Sequence, residues 1–153
     1  MTITELNKLK VLPCDIQNTY LTAKCREKIW TIAGPEFVSD AGNLMIVVRA
    51  LYGLKSSGEA FRSLLTETFY DIGYTPSKAD PDIWLRPAVK PDAFEYYEMI
   101  LCYVSDVLSI SHDAMKTMKG IQHKFKLKDD KIAELENYLG TGLSKMVTAN
   151  RRK

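Results

Sequence analysis

Residues 99–110 read MILCYVSDVLSI, two apolar runs separated by the polar dipeptide Ser105-Asp106. Short runs rich in Ile, Leu and Val are typical of buried strands. Two residues are enough to connect antiparallel neighbours. The stretch therefore predicts a β-hairpin with strands at 99–104 and 107–110 and Ser105-Asp106 as its turn. Because serine and aspartate are common in turns, this dipeptide alone indicates only a turn.

Three further strands and a helix are predicted on the amino-terminal side of the hairpin. The strands are at 10–14, 29–32 and 44–48, and loops are expected at 34–43 and 87–92. The spacing Ser56-x-x-Glu59 is typical of a capping box at a helix N-terminus, and Gly73 supplies the stop. The apolar residues of this helix share one face: Phe61, Leu64, Leu65, Phe69 and Ile72.

A second helix is predicted to follow the hairpin, beginning near His112 or Asp113. Its expected buried stripe consists of Met115, Met118, Ile121 and Phe125. The order of elements is then strand, hairpin, helix, strand, hairpin, helix, strand. This order predicts an α+β fold of the split-βαβ type (βαββαβ, ferredoxin-like), with an antiparallel sheet and the helices on one face.

Composition limits the kind of protein that this chain can be. The 153 residues suit one domain, and 46% hydrophobic with 26% charged residues argues against disorder. The net charge of +2 neither requires nor excludes a polyanionic partner. No apolar run approaches the ~20 residues of a membrane span, and the first residues lack the layout of a signal peptide. We therefore expect no membrane partner and an intracellular location, cytoplasmic or nuclear.

The most informative polar residues are Asp15 and Asp106, which end or begin predicted strands. Asp15 could be a helix N-cap for the segment after it, a common role for aspartate. If the two strands are neighbours in one sheet, however, the two carboxylates lie side by side with no basic partner nearby. Such carboxylates repel each other, and a divalent cation would relieve the repulsion.

Six blocks in the same order resemble the reverse transcriptase of copia-type retrotransposons. They cover about residues 8–146, nearly the whole chain, and six in register are far more specific than one. The blocks are CDIQNTYL at 14–21, LYGLKSS at 51–57, ADPDIW at 79–84, YVSD at 103–106, FKLKD at 125–129 and YLG at 138–140.

The resemblance implies a polymerase palm with a fingers-type hairpin, and chemistry by two-metal nucleotidyl transfer. Asp15 and the acids of the hairpin would hold Mg²⁺ (or Mn²⁺) while a primer 3′-hydroxyl attacks a deoxynucleotide. The implied partners are an RNA or DNA template–primer duplex and a dNTP. The resemblance implies that Tyr20 is the aromatic gate under the sugar and that Tyr52 and Gly53 border the nucleotide. It also implies that Lys128 is the lysine near the pyrophosphate. Leu139 and Gly140 are the implied primer grip.

One departure from the family pattern lies in the hairpin itself. Where the family has Tyr-Val-Asp-Asp, this chain has Ser105 in place of the first aspartate and keeps only Asp106. A serine hydroxyl can bind Mg²⁺ but carries no charge. We therefore expect nucleotidyl transfer to be weak or absent in this chain.

The remaining expectations concern domain extent and two other interpretations. Residues 1–146 are expected to form the palm with partial fingers, truncated at both ends, and residues 147–153 a basic C-terminal tail. A non-catalytic nucleic-acid-binding remnant is one alternative, supported by the basic tail. A decayed transposon open reading frame with a poorly stable product is the other.

Overall fold

The computed structural model describes residues 2–128, 132, 137–138 and 141–142. It has a mixed α/β architecture built on a five-stranded antiparallel sheet and helices. The helices and strands, in chain order, are α1 (Thr2–Leu6), β1 (Lys10–Asp15), β2 (Trp30–Ile32), β3 (Leu44–Ile46), α2 (Ser57–Asp71), β4 (Thr75–Pro76), β5 (Ile83–Val89), β6 (Glu95–Tyr103), β7 (Asp106–Ser111), α3 (Ala114–Lys124), β8 (Asn137–Tyr138) and β9 (Thr141–Gly142). Short 3-10 segments cover Thr19–Thr22 and Pro35–Asp40.

The main sheet has the strand order β1-β7-β6-β5-β4, and every neighbouring pair is antiparallel. Strands β2 and β3 form a separate two-stranded ribbon, as do β8 and β9. The predicted strands at 10–14, 29–32, 44–48, 99–104 and 107–110 all exist, with shifted ends. The strand β6 begins four residues earlier than predicted, at Glu95.

The core lies on one face of this sheet, under α2 and α3. The register places Cys14 opposite Val107 and Val107 opposite Cys102, so these side chains share a face. The buried core contains residues of both helices and of this face: Cys14, Phe61, Leu65, Phe69, Trp84, Ile100, Val107, Met118 and Ile121. Because side chains alternate along a strand, Asp15, Tyr103 and Asp106 belong to the opposite face.

The helix α2 follows the predicted amphipathic pattern but not the predicted cap. Ser56 is its N-cap without a side-chain capping bond. Instead, the Ser56 amide and hydroxyl both donate to a carboxylate oxygen of Glu27, and Glu59 pairs with Arg26 at 3.0 Å. The capping box was therefore a wrong prediction, since both of its side chains have partners across the chain.

The predicted stop of α2 is confirmed. Gly73 has a φ of +86°, which only glycine adopts without strain. Its amide donates to the Tyr70 carbonyl, and the Tyr74 amide donates to the Phe69 carbonyl. These two bonds form a Schellman motif, which satisfies the last carbonyls of the helix.

The helix α3 buries a stripe that differs in part from the predicted one. Met118 and Ile121 are buried, as is Phe125 just beyond the helix end. Met115, however, is 40% exposed, because the buried face runs through Ala114 and Thr117 instead.

Pro87 lies in β5, not in the predicted loop. The outer strand β4 pairs only with Trp84 and Leu85. Pro87 therefore lies beyond the part of β5 that pairs with β4. On that unpaired side of the strand, the missing amide proton of proline costs no hydrogen bond between strands.

A buried polar network ties the sheet to both helices at the end remote from Asp15. Glu98 is 7% exposed and accepts hydrogen bonds from Arg86, Ser111 and Tyr96. Burial raises the pKa of the Glu98 carboxyl, but these donors and the Arg86 charge outweigh burial and leave the pKa below its ordinary value. Arg86 also donates to the Ile72 carbonyl at the end of α2.

Candidate active site

Asp15 and Asp106 face each other across the β1–β7 pair, as the sequence predicted. They are direct register partners, and Tyr103 is the partner of Asp106 on β6. Directly opposite residues in an antiparallel pair have Cβ atoms about 4.5–5.5 Å apart. The two carboxylates therefore form one acidic pair on the face away from the helices. Asp15 is not the cap of a helix, since the 3-10 segment after it has Asn18 at its N-cap.

The turn of the hairpin lies one residue earlier than predicted. Tyr103 ends β6 and Asp106 begins β7, so the two-residue turn is Val104-Ser105. Val104 has a φ of +53°, an unfavourable backbone conformation for a β-branched residue. The Ser105 carbonyl accepts a hydrogen bond of 3.0 Å from the Ile16 amide. Asp106 therefore lies in the sheet, aligned with Asp15, and Ser105 lies in the turn.

The acidic pair has a basic partner, contrary to the sequence-based expectation. The Lys128 ammonium lies 3.6 Å from Oδ2 of Asp15. Burial raises the pKa of the Asp106 carboxyl above its ordinary value, and the charge of Asp15 raises it further. Lys128 opposes both effects by lowering the same pKa.

Two of the candidate nucleotide-binding residues are in contact with each other. The rings of Tyr20 and Tyr52 have centroids 4.7 Å apart. Tyr20 also packs edge-on against Phe61 of α2, and Phe61 packs against Phe125. This row of rings fixes the Tyr20 side chain to the core while Tyr52 stays exposed.

Gly53 follows Tyr52 in a conformation that requires glycine. Its φ is +94°, and a Cβ atom built there would meet no atom within 4 Å. The position is therefore open on the protein side, which is compatible with the close backbone approach expected of it. The predicted primer-grip residues Leu139 and Gly140 lie outside the described residues.

Comparison with known proteins identifies the family of this chain. A family model described as "Reverse transcriptase (RNA-dependent DNA polymerase)" matches residues 2–151. The chain belongs to the reverse transcriptase family. The "Retrovirus-related Pol polyprotein from transposon RE1" of Arabidopsis thaliana is 26% identical over 139 residues, which cover 88% of this chain and 9% of that protein. The chain thus spans about a tenth of the curated relative's length, and the resemblance to the copia-type family is confirmed. No solved structure matches it.

The donor set of Asp15, Asp106 and Ser105 suits one divalent cation better than two. Within the described residues, no three His, Cys, Asp or Glu side chains converge as a metal site. Mg²⁺ is commonly held by one or two carboxylates together with substrate phosphates. Asp15 and Asp106 meet that requirement for one ion, whereas Ser105 adds no charge for a second.

Within the described residues, no helix has the length and apolar character needed to cross a membrane.

The contact of Lys128 with Asp15 and the backbone conformation of Val104 were not predicted from the sequence. The Lys128–Asp15 pair joins distant parts of the chain, and no local pattern indicates it. Tight two-residue hairpin turns require positive φ at a central position, but this requirement applies equally to Val104-Ser105 and Ser105-Asp106 and therefore does not single out Val104.

Proposed function

We propose that this reverse transcriptase chain forms a palm with partial fingers over residues 1–146, followed by a basic tail. The proposed palm holds a template–primer and a deoxynucleotide, but Ser105 impairs its nucleotidyl transfer. The observation that carries the proposal is the single carboxylate of the hairpin, Asp106, opposite Asp15. Because Ser105 lies in the turn and Asp106 in the strand, Asp106 does not replace the acid missing from the neighbouring position.

The path of the chain supports the palm arrangement. Leu127, just after α3, forms an antiparallel bridge with Ile16 at the end of β1. The segment after α3 thus lies beside β1 on the side away from β7. A split-βαβ sheet has this order, with its last strand next to its first. The exposed ribbon of β2 and β3 is the proposed fingers-type hairpin.

The chain's own residues have distinct proposed roles. Asp15 and Asp106 hold a Mg²⁺ or Mn²⁺ ion, which supplies charge neutralisation for phosphoryl transfer when bound. Tyr20, supported by Phe61, presents its ring beneath the sugar, and Tyr52 with Gly53 borders the nucleotide. The residues proposed for the primer grip are Leu139 and Gly140, and Lys128 lies beside Asp15 at the same edge of the sheet.

The expected size of the defect follows from the missing charge. A unit charge about 4 Å from another contributes roughly 4 kcal/mol at an effective dielectric constant of 20. A loss of that size in transition-state stabilisation slows a reaction about a thousandfold. A primer-extension assay on RNA and DNA templates, with Mg²⁺ or Mn²⁺, measures the defect.

The informative comparison is among the wild-type chain, Ser105→Asp and Ser105→Asn. We expect Ser105→Asp to extend the primer about a thousandfold faster than the other two. The asparagine variant is the matched control, because it has nearly the same shape and no charge. Extension by the wild-type chain at the rate of Ser105→Asp would show that the serine is not a defect.

A second candidate function, nucleic-acid binding without catalysis, is favoured by exposed aromatic rings near the acidic pair. Tyr52 and Tyr103 are both exposed, and Tyr103 shares the face of Asp106. Exposed aromatic rings can stack on nucleic-acid bases. Salt-dependent binding of a template–primer by the wild-type chain, without extension even by Ser105→Asp, would support this alternative. Absence of a cooperative unfolding transition would instead point to a decayed open reading frame.

A further inference from the structure

Lys128 is held at the acidic pair by its backbone as well as by its charge. The preceding residue, Leu127, is fully buried and bridges Ile16, the residue after Asp15. The Gln17 amide donates to the Lys126 carbonyl at 2.9 Å. The side chain of Lys128 therefore begins at a fixed point beside the end of β1, within reach of the Asp15 carboxylate.

The Lys128 ammonium lies beside the same negatively charged carboxylates that would bind a metal ion. Asp15 and Asp106 carry two negative charges across adjacent strands, and Ser105 adds none. The Lys128 ammonium lies 3.6 Å from the Asp15 carboxylate and also acts on the neighbouring Asp106. A cation that binds the Asp15 oxygens must compete with this ammonium for them.

We propose that Lys128 is an internal counter-cation of the Asp15–Asp106 pair and competes with a divalent metal ion for it. This inference rests on the proposed function, because it concerns the same carboxylates. In the metal-free chain Lys128 offsets one of the two negative charges of the pair, and a divalent ion binds the Asp15 oxygens only when the ammonium moves away. Lys128 thereby weakens metal binding in a site that already lacks the third acid.

The expected size of this competition is modest, because both partners are partly exposed. The side chains of Lys128 and Asp15 are 64% and 39% exposed. Ion pairs at such positions change an equilibrium by about a factor of two to five. Removing the ammonium should therefore tighten divalent-ion binding by about two- to fivefold.

Titration with Mn²⁺, followed by the electron paramagnetic resonance signal of the free ion, tests this proposal without reference to activity. We expect Lys128→Met to lower the Mn²⁺ dissociation constant two- to fivefold. The matched control is Lys126→Met, two residues away and exposed, whose side chain forms no ion pair within the described residues. Asp15→Asn should abolish binding and so assign the signal to this site.

The outcomes separate this proposal from the proposed function. Equal Mn²⁺ affinity of the wild-type chain, Lys128→Met and Lys126→Met would overturn the competition but leave the metal site in place. Absence of Mn²⁺ binding by all of them and by Ser105→Asp would overturn the metal site itself.

A second measurement, in EDTA, tests the ion pair without any metal. Lys128→Met should lower the midpoint of thermal unfolding by about 1–3 °C when Asp15 is present. The same substitution should lower it less in an Asp15→Asn background. Equal shifts in the two backgrounds would show that Lys128 does not neutralise Asp15.

Discussion

Replacing Arg86 by methionine should destabilise the chain more than any surface charge substitution, and the loss should be smaller at acidic than at neutral pH. Arg86 donates to the Glu98 carboxylate through Nε at 2.8 Å and through a second nitrogen. Its guanidinium also lies 4.4 Å from the centre of the Tyr74 ring. Arg86→Met removes these contacts and leaves a buried carboxylate without its cation.

The expected loss of stability follows from the burial of the Arg86–Glu98 pair. The side chains of Arg86 and Glu98 are 23% and 9% exposed. Removing one member of a buried pair typically costs about 3–5 kcal/mol, and the residual exposure of Arg86 favours about 3 kcal/mol. For a chain of this size, that loss lowers the unfolding midpoint by about 6–12 °C.

The assay is thermal unfolding followed by circular dichroism at several pH values. In the wild-type chain the pKa of Glu98 is below its ordinary value of 4.5. Its stabilisation is therefore complete above about pH 4.5 and is lost as the pH falls through the lower pKa of the folded state. Without Arg86, burial should raise that pKa, so the deficit of the variant should shrink as the pH falls from 7 towards 5.

Two control variants separate the buried Arg86–Glu98 pair from an ordinary surface ion pair. Arg62→Met breaks the exposed Arg62–Asp82 pair, whose side chains are 56% and 47% exposed, and should cost less than about 1 kcal/mol. The double variant Arg86→Met with Glu98→Gln should recover part of the loss, since it removes the unpaired charge. The contrary result is that Arg86→Met lowers the free energy of unfolding no more than Arg62→Met does, with an unchanged pH profile. That result would refute a dominant role for the buried pair.

Two further stability predictions use single side chains. The Ser109 hydroxyl is buried and has no hydrogen-bond partner among the described residues, so Ser109→Ala should raise the free energy of unfolding by about 1 kcal/mol; a loss in urea unfolding would contradict this. Gly53→Ala should cost about 1–2 kcal/mol, because φ is positive while the space is open. Gly58→Ala in α2 is its control, with equally open space and no positive φ, and should be neutral or slightly stabilising; similar effects of the two substitutions would show that backbone conformation is not the cause.

The hairpin shows what the sequence could and could not predict. Its two apolar runs predicted both strands and their pairing. They could not fix the turn, because the same residues allow a loop at Val104-Ser105 or at Ser105-Asp106. The observed turn places valine at a positive φ, which no intrinsic preference of valine indicates.

The sequence predicted the part of the candidate site that depends on the positions of neighbouring strands. Asp15 and Asp106 were expected side by side and are register partners. Their contact with Lys128 was not expected, because it depends on the return of the chain to Ile16 after α3. The capping box failed for a similar reason, since the distant Glu27 provides the partner of Ser56.

The bridge between Leu127 and Ile16 makes an apolar side chain responsible for an electrostatic property. Leu127 has no polar group, yet its burial determines where the next residue begins. A smaller or differently shaped residue there would shift the ammonium relative to the carboxylates while every charge remained present. The distance between the Lys128 ammonium and the carboxylates can therefore be changed, in evolution or by design, through hydrophobic packing alone.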